Sequence, residues 1–133
     1  MVKYLRQYEI LYNKAKTDLL AAQILLDQFG KSETDLDLEI IYFHLQQCAE
    51  KLLKALLSKN EIDYPKTHDF EPLLKLINEN NIDLITNRDL LMKLSYYAVE
   101  GRYAVINDDL DKTNEYILEL TSLLNNVKLL LQF

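Results

Sequence analysis

The sequence has few residues that break helices or form tight turns. Its 133 residues include only two glycines and two prolines, too few for a meander of short strands. Hydrophobic residues make up 49% of the chain and charged residues 27%. The length is that of one domain, which can bury a sizeable core without needing a cofactor or a covalent cross-link to fold. We therefore predict a single all-α domain over residues 1–133.

Cysteine and long apolar runs are also scarce. One cysteine cannot form an intramolecular disulfide, so cysteine usage gives no argument for export. The N-terminal residues lack the apolar run of a signal peptide, and no stretch reaches the roughly 18 uninterrupted apolar residues of a membrane span. We expect a cytoplasmic protein without a membrane segment.

The chain lacks an excess of positive charge and the familiar catalytic motifs. Its net charge of −6 disfavours a general grip on the phosphate backbone of nucleic acids, although it leaves room for a local basic cleft. No glycine-rich phosphate loop, recognisable pair of catalytic carboxylates or Ser-His-Asp arrangement is visible. Nucleotidyl transfer would therefore have to come from a partner, and no cofactor is expected.

Apolar residues recur at steps of three and four in five segments, as on the buried faces of helices. These stripes cover residues 8–26, 41–56, 70–77, 91–105 and 110–131. Gly30 ends the first helix, residues 60–66 form a loop, and "NDD" at 107–109 separates the last two stripes. Asp69 is predicted as the N-cap of the third helix, which places Pro72 in its first turn. The pattern predicts an up-and-down bundle of four long helices and one short helix.

The second helix carries a polar stripe beside its apolar one. His44, Gln47 and Lys51 occur at i, i+3 and i+7 and therefore share a face. They could donate to a nucleotide phosphate or to an acidic partner, or they could form the solvated outer face that bundle helices usually have. Glu50 and Lys54 are interpreted as a stabilising i, i+4 pair that needs no functional role.

His44 and Cys48 have a spacing at which two side chains can share a metal ion. Cys48, however, lies on the apolar stripe, and the chain has only one other histidine, His68. A complete ligand set is therefore hard to assemble. We predict no metal site and a core position for Cys48.

Three patches together resemble the HEPN domain, the higher eukaryotes and prokaryotes nucleotide-binding domain. They are "LQQCAEKLLKALL" (45–57), "YPKTHDF" (64–70) and "YYAVEGRY" (96–103). The resemblance implies a helical bundle, usually dimeric, in small prokaryotic proteins often encoded beside a minimal nucleotidyltransferase. In some such pairs the HEPN protein is a ribonuclease toxin and the nucleotidyltransferase its antitoxin. For others, a nucleotide-binding role is implied.

The ribonuclease branch of that family uses an Arg followed by a polar residue and, after a short spacer, a His. Arg102 matches the Arg, but Tyr103 stands where the polar residue is expected and Asn107 where the His would come. Asparagine cannot exchange a proton near neutral pH as imidazole does. The departure argues against acid–base cleavage of RNA by this scheme.

Arg102 lies close to the apolar stripe of the fourth helix, so its charge needs a partner. That partner could be an internal carboxylate such as Glu50, or the phosphate of a ligand. Lys66 and His68 belong to the "KTHD" stretch, which either locks the loop or lines a ligand cleft. The lock is favoured because Thr67 and Asp69 have the chemistry of a helix start.

The sequence favours a HEPN-like homodimeric module that binds a nucleotide or a minimal nucleotidyltransferase partner and is not catalytic by itself. Its candidate contacts are His44, Gln47, Lys51, Lys66, His68 and Arg102. The first alternative is a metal-independent ribonuclease toxin. In it, Arg102 would stabilise the cleaved phosphate, and Asn107, Tyr103 or His44 would replace the usual histidine. The second alternative is a structural dimerisation or adaptor domain.

Overall fold

A computed structural model describes residues 6–31, 38–99 and 110–132 of the chain. Its five elements are all helices: α1 (Gln7–Lys31), α2 (Leu38–Lys59), α3 (Phe70–Glu79), α4 (Arg88–Val99) and α5 (Leu110–Leu131). No strand occurs in the described ranges. The predicted all-α fold is confirmed. None of the helices in these ranges is long and apolar enough to cross a membrane.

Helix α2 lies at the centre and contacts each of the other four helices. Its interior residues are fully buried, and they include the predicted stripe: Leu45, Cys48, Leu52, Ala55 and Leu56. Most of the circumference of α2 is apolar, and a helix of this kind is stable only when neighbours cover it on several sides. This central position is why polar side chains on α2 meet residues of other elements.

Helix α1 makes the most extensive contact with α2. Its predicted stripe is confirmed, because Tyr12, Ala15, Leu19 and Ala22 are buried. The two alanines have no exposed surface, and such small side chains allow the two helices to approach closely. The helix ends at Lys31, one residue beyond the predicted end.

The start of α3 confirms Asp69 as its N-cap. The Asp69 carboxylate accepts a hydrogen bond from the Glu71 backbone N–H at 3.0 Å, and the Asp69 backbone N–H donates to Thr67 Oγ1 at 3.0 Å. Ser95 of α4 accepts from the Phe70 backbone N–H at 2.8 Å and contacts Asp69 Oδ1 at 3.2 Å. The loop before α3 is therefore fixed both to its own helix and to α4.

The last stretch of the stripe predicted for the fourth helix, up to residue 105, lies outside the described residues. So does the separator predicted at 107–109. Helix α5 begins at Leu110 and buries the expected face, including Thr113, Leu120, Val127 and Leu131.

Candidate functional site: two carboxylates on the flanks of α2

A buried carboxylate on α1 holds two polar side chains of α2. Asp18 is only 9% exposed; its Oδ1 lies 3.0 Å from Nδ1 of His44, and its Oδ2 accepts from Nζ of Lys51. His44 and Lys51 are seven residues apart, two helical turns, and so reach the same carboxylate from one face of α2. We call these three residues the Asp18 cluster.

The polar stripe of α2 is thus only partly solvated. The side chains of His44 and Lys51 are 28% and 23% exposed to solvent, respectively. Gln47 donates through Nε2 to Gln46 Oε1 at 2.8 Å. The stripe therefore lies along the seam between α1 and α2, where its members bind protein groups and still contact solvent.

The sequence interpretation did not identify Asp18. The sequence does contain a feature that could have identified it: Asp18 is the only acidic residue between Glu9 and Asp27, and it lies beside the apolar stripe of α1. A lone carboxylate on the flank of a buried face needs a cationic partner. The periodicity of α1 alone could not tell which residue of α2 supplies that partner.

A second buried carboxylate, on α2 itself, holds the loop before α3. Glu50 is 5% exposed and accepts hydrogen bonds from Gln46 Nε2 at 3.0 Å and from Lys54 Nζ at 3.2 Å. Its Oε1 also lies 2.7 Å from Nδ1 of His68. We call these four residues the Glu50 cluster. The predicted Glu50–Lys54 pair exists, but its carboxylate is buried and it belongs to a larger network.

The Glu50 cluster fixes His68 at two points. The imidazole is bound to Glu50, and Gln46 Nε2 donates to the His68 carbonyl oxygen at 3.4 Å. The His68 side chain is nevertheless 70% exposed to solvent. Lys66, two residues earlier, is also exposed. These contacts are those of the predicted loop lock.

Each cluster changes the acidity of a neighbouring group. Burial raises the pKa of the Cys48 thiol, the negative charge of Asp18 raises it further, and Lys51 opposes this. Burial also raises the pKa of Tyr64, and the charge of Glu50 adds to that effect. The buried thiol therefore stays protonated at neutral pH, as expected for the core residue that Cys48 was predicted to be.

The charge of the central parts of α1 and α2 differs from that of the rest of the chain, although Glu9, Asp27 and Glu39 lie nearer the helix ends. Residues 10–26 and 40–59 contain five lysines and two carboxylates, which gives +3 with histidine neutral. Because the whole chain carries −6, the remaining residues carry −9. Both carboxylates of this region are the buried ones just described, so its exposed charges are cationic.

Three of the predicted residues, Arg102, Tyr103 and Asn107, lie outside the described residues. Glu50, the carboxylate suggested as a partner of Arg102, is held by its own cluster. Within the described ranges, no group of three or more His, Cys, Asp and Glu side chains could hold a metal ion.

Comparison with curated proteins and with solved structures gives no match. The model of the HEPN domain family matches residues 8–132, which is nearly the whole chain and includes both clusters. The chain therefore belongs to the HEPN domain family.

Proposed function

We propose that this protein is a HEPN module that binds a nucleotide, a minimal nucleotidyltransferase partner, or both, without catalytic activity of its own. Family membership supports a nucleotide- or RNA-related role. The observation that carries the proposal is the cationic seam between α1 and α2, where His44 and Lys51 are held in place by Asp18 and remain partly exposed. Asn107, in place of the histidine of the ribonuclease branch, supports the absence of catalysis.

Calorimetric titration with ATP and GTP tests the nucleotide arm of the proposal. Co-purification with a nucleotidyltransferase encoded beside the chain tests the partner arm. We expect at least one of the two interactions. The absence of both would refute the proposed function and would favour a structural dimerisation or adaptor domain.

We also propose that the protein acts as a cytoplasmic homodimer, as is usual in the family. Light scattering coupled to size-exclusion chromatography should give about twice the mass of 15.6 kDa. A monomer at micromolar concentration would refute this part of the proposal and leave ligand binding unaffected.

A ribonuclease toxin is the second candidate, and the geometry of His44 favours it. Nδ1 of His44 is held by Asp18, and Nε2 has no hydrogen-bond partner in the described part of the chain. A carboxylate that orients an imidazole in this way is a familiar arrangement for a general base. His44 could then replace the histidine that is missing at Asn107, with Arg102 on the phosphate.

RNA cleavage by the purified protein, with a chelator present, separates the two candidates. The non-catalytic module predicts no cleavage by the wild type or by Arg102→Ala. Cleavage that is lost in folded Arg102→Ala and His44→Asn variants would establish the ribonuclease instead. Circular dichroism checks that each variant is folded.

A further inference from the structure

An exposed aromatic side chain lies directly beside the Asp18 cluster. Phe43 is 47% exposed, and its ring centroid is 5.5 Å from that of His44 at an interplanar angle of 71°. Ile40, one turn earlier on α2, is 46% exposed. Surface aromatics of this kind offer a flat apolar platform on which a nucleobase can stack.

Carboxylates are few beside this platform: on α2, only Glu39 lies within one turn of Phe43, and it is partly exposed. Between Ile40 and Lys59 the only acidic residue is Glu50, which is buried. On α1, the exposed Lys14 precedes Asp18 by one turn and lies on the same side of the helix. The seam thus combines cationic groups with an apolar surface, as a nucleotide requires.

Asp18 leaves the donors of its two partners partly unused. An ammonium group has three N–H donors, and the contact with Asp18 uses one of those of Lys51. The ionised carboxylate favours the Nδ1–H tautomer of His44. Nε2 can then accept from a sugar hydroxyl when the ring is neutral, or donate to a phosphate oxygen when it is protonated.

We propose that the seam between α1 and α2 is a nucleotide site, in which Lys51 and His44 bind phosphate and the base stacks on Phe43. Asp18 is a positioning residue that fixes both phosphate-binding side chains before the ligand arrives, so less conformational entropy is lost on binding. This inference rests on the proposed nucleotide-binding function and specifies its location.

The Glu50 cluster does not offer the same site, although it also contains a lysine and a histidine. The loop and helix start around His68 carry Asp63, Asp69 and Glu71, of which Asp63 and Glu71 are exposed. These carboxylates disfavour an anionic ligand there. We therefore expect phosphate to bind at the Asp18 cluster and not at the Glu50 cluster.

The first test removes the Asp18–Lys51 ion pair, and with it one phosphate-binding side chain, without changing the net charge. We expect Asp18→Asn/Lys51→Gln to bind ATP at least tenfold more weakly than the wild type in calorimetric titration. The matched control is Lys75→Gln/Glu79→Gln, which removes an exposed ion pair on α3 whose side chains are 74% and 54% exposed. The control should stay within twofold of the wild type.

The second test separates base stacking from phosphate binding. Phe43→Ala should weaken ATP binding about tenfold and leave the binding of inorganic tripolyphosphate unchanged. Leu118→Ala is the control, because it removes an apolar side chain that is 72% exposed on α5. Phe43 is exposed, so this variant remains informative if the double variant fails to fold. A short oligoadenylate shows whether an RNA phosphate is bound as well.

The third test uses the fact that the chain has only two histidines. In the NMR spectrum of protein with labelled histidine, ATP should shift the imidazole signals of His44 and leave those of His68 in place. Equal shifts, or a shift of His68 alone, would overturn the assignment.

Wild-type protein that binds neither ATP nor RNA would refute nucleotide binding altogether. ATP binding that survives both the double variant and Phe43→Ala would overturn the site alone.

Discussion

The Asp18 cluster and the Glu50 cluster contain the same three kinds of group in different surroundings. In each, a buried carboxylate binds a lysine and Nδ1 of a histidine, and both histidines of the chain are used in this way. The Asp18 cluster joins two helices along a seam rich in lysine. The Glu50 cluster joins α2 to a loop, and it also binds that loop through the backbone of His68.

From this comparison we predict that one constellation serves two purposes. Loss of the Glu50 carboxylate would release a loop, the start of α3 and a buried amide. Loss of the Asp18 carboxylate would release only two side chains that already contact water. The Glu50 cluster should therefore contribute more to stability and the Asp18 cluster more to binding.

The largest expected effect is that of Glu50→Ala. This change leaves Lys54, whose side chain is only 15% exposed, and the amide of Gln46 without their acceptor, and it frees His68. Breaking a buried ion pair from one side costs about 3 kcal/mol. Urea unfolding followed by circular dichroism measures this loss. Glu50→Gln, which retains one acceptor oxygen, should fall between Glu50→Ala and the wild type; a loss below about 1 kcal/mol for Glu50→Ala would contradict the structural role.

Asp18→Ala should cost about half as much, on the order of 1.5 kcal/mol. Lys51 and His44 are partly exposed and can turn towards water when their carboxylate is removed. The same urea titration gives the value, with Lys75→Ala as a control that should change stability by less than about 0.5 kcal/mol. If Asp18→Ala destabilised the protein as much as Glu50→Ala, the distinction between the two clusters would be wrong.

Asp69→Ala tests the loop side of the comparison and should cost about 1 kcal/mol. The change removes the acceptor for the Glu71 backbone N–H and a contact with Ser95, but Thr67 still accepts from the backbone of residue 69. Asp63→Ala, at an exposed position of the same loop, serves as the control. Equal stability of the two variants would show that the cap is not needed to start α3.

The helices and the cap could be predicted because they depend on local sequence. The stripe from Tyr8 to Leu26 and the spacing of Asp69 and Pro72 report directly on which face is buried and where α3 begins. Similarly, Cys48 was placed in the core from its position on the stripe alone. Each of these predictions needs only the geometry of a single helix.

The clusters could not be predicted in this way because they depend on how elements pack. Asp18 and His44 are 26 residues apart, and Glu50 and His68 are 18 apart. Helical periodicity shows that His44 and Lys51 share a face, but it does not show that α1 covers one edge of that face with a carboxylate. Only the neighbouring helix shows that His44 and Lys51 bind a carboxylate of α1 and are not a fully solvated surface.

The smallest expected effect is a pH dependence that arises beside the Asp18 cluster. The pKa of Cys48 is raised in the folded protein above its ordinary value of 9.0. At pH 7.5 and below the thiol is protonated in both states and does not change the balance between them. Above that pH, the unfolded chain releases a proton that the folded protein keeps, so the free energy of unfolding falls as pH rises.

Between pH 7.5 and 9.5 this one group should lower the free energy of unfolding by about 0.8 kcal/mol. Cys48→Ala lacks the thiol, so its stability should fall less over the same range, whatever its stability at pH 7.5. Urea unfolding of both proteins at the two pH values measures the difference. An identical fall in both would mean that the thiol titrates freely in the folded protein, and hence that the core beneath the Asp18 cluster is open to water.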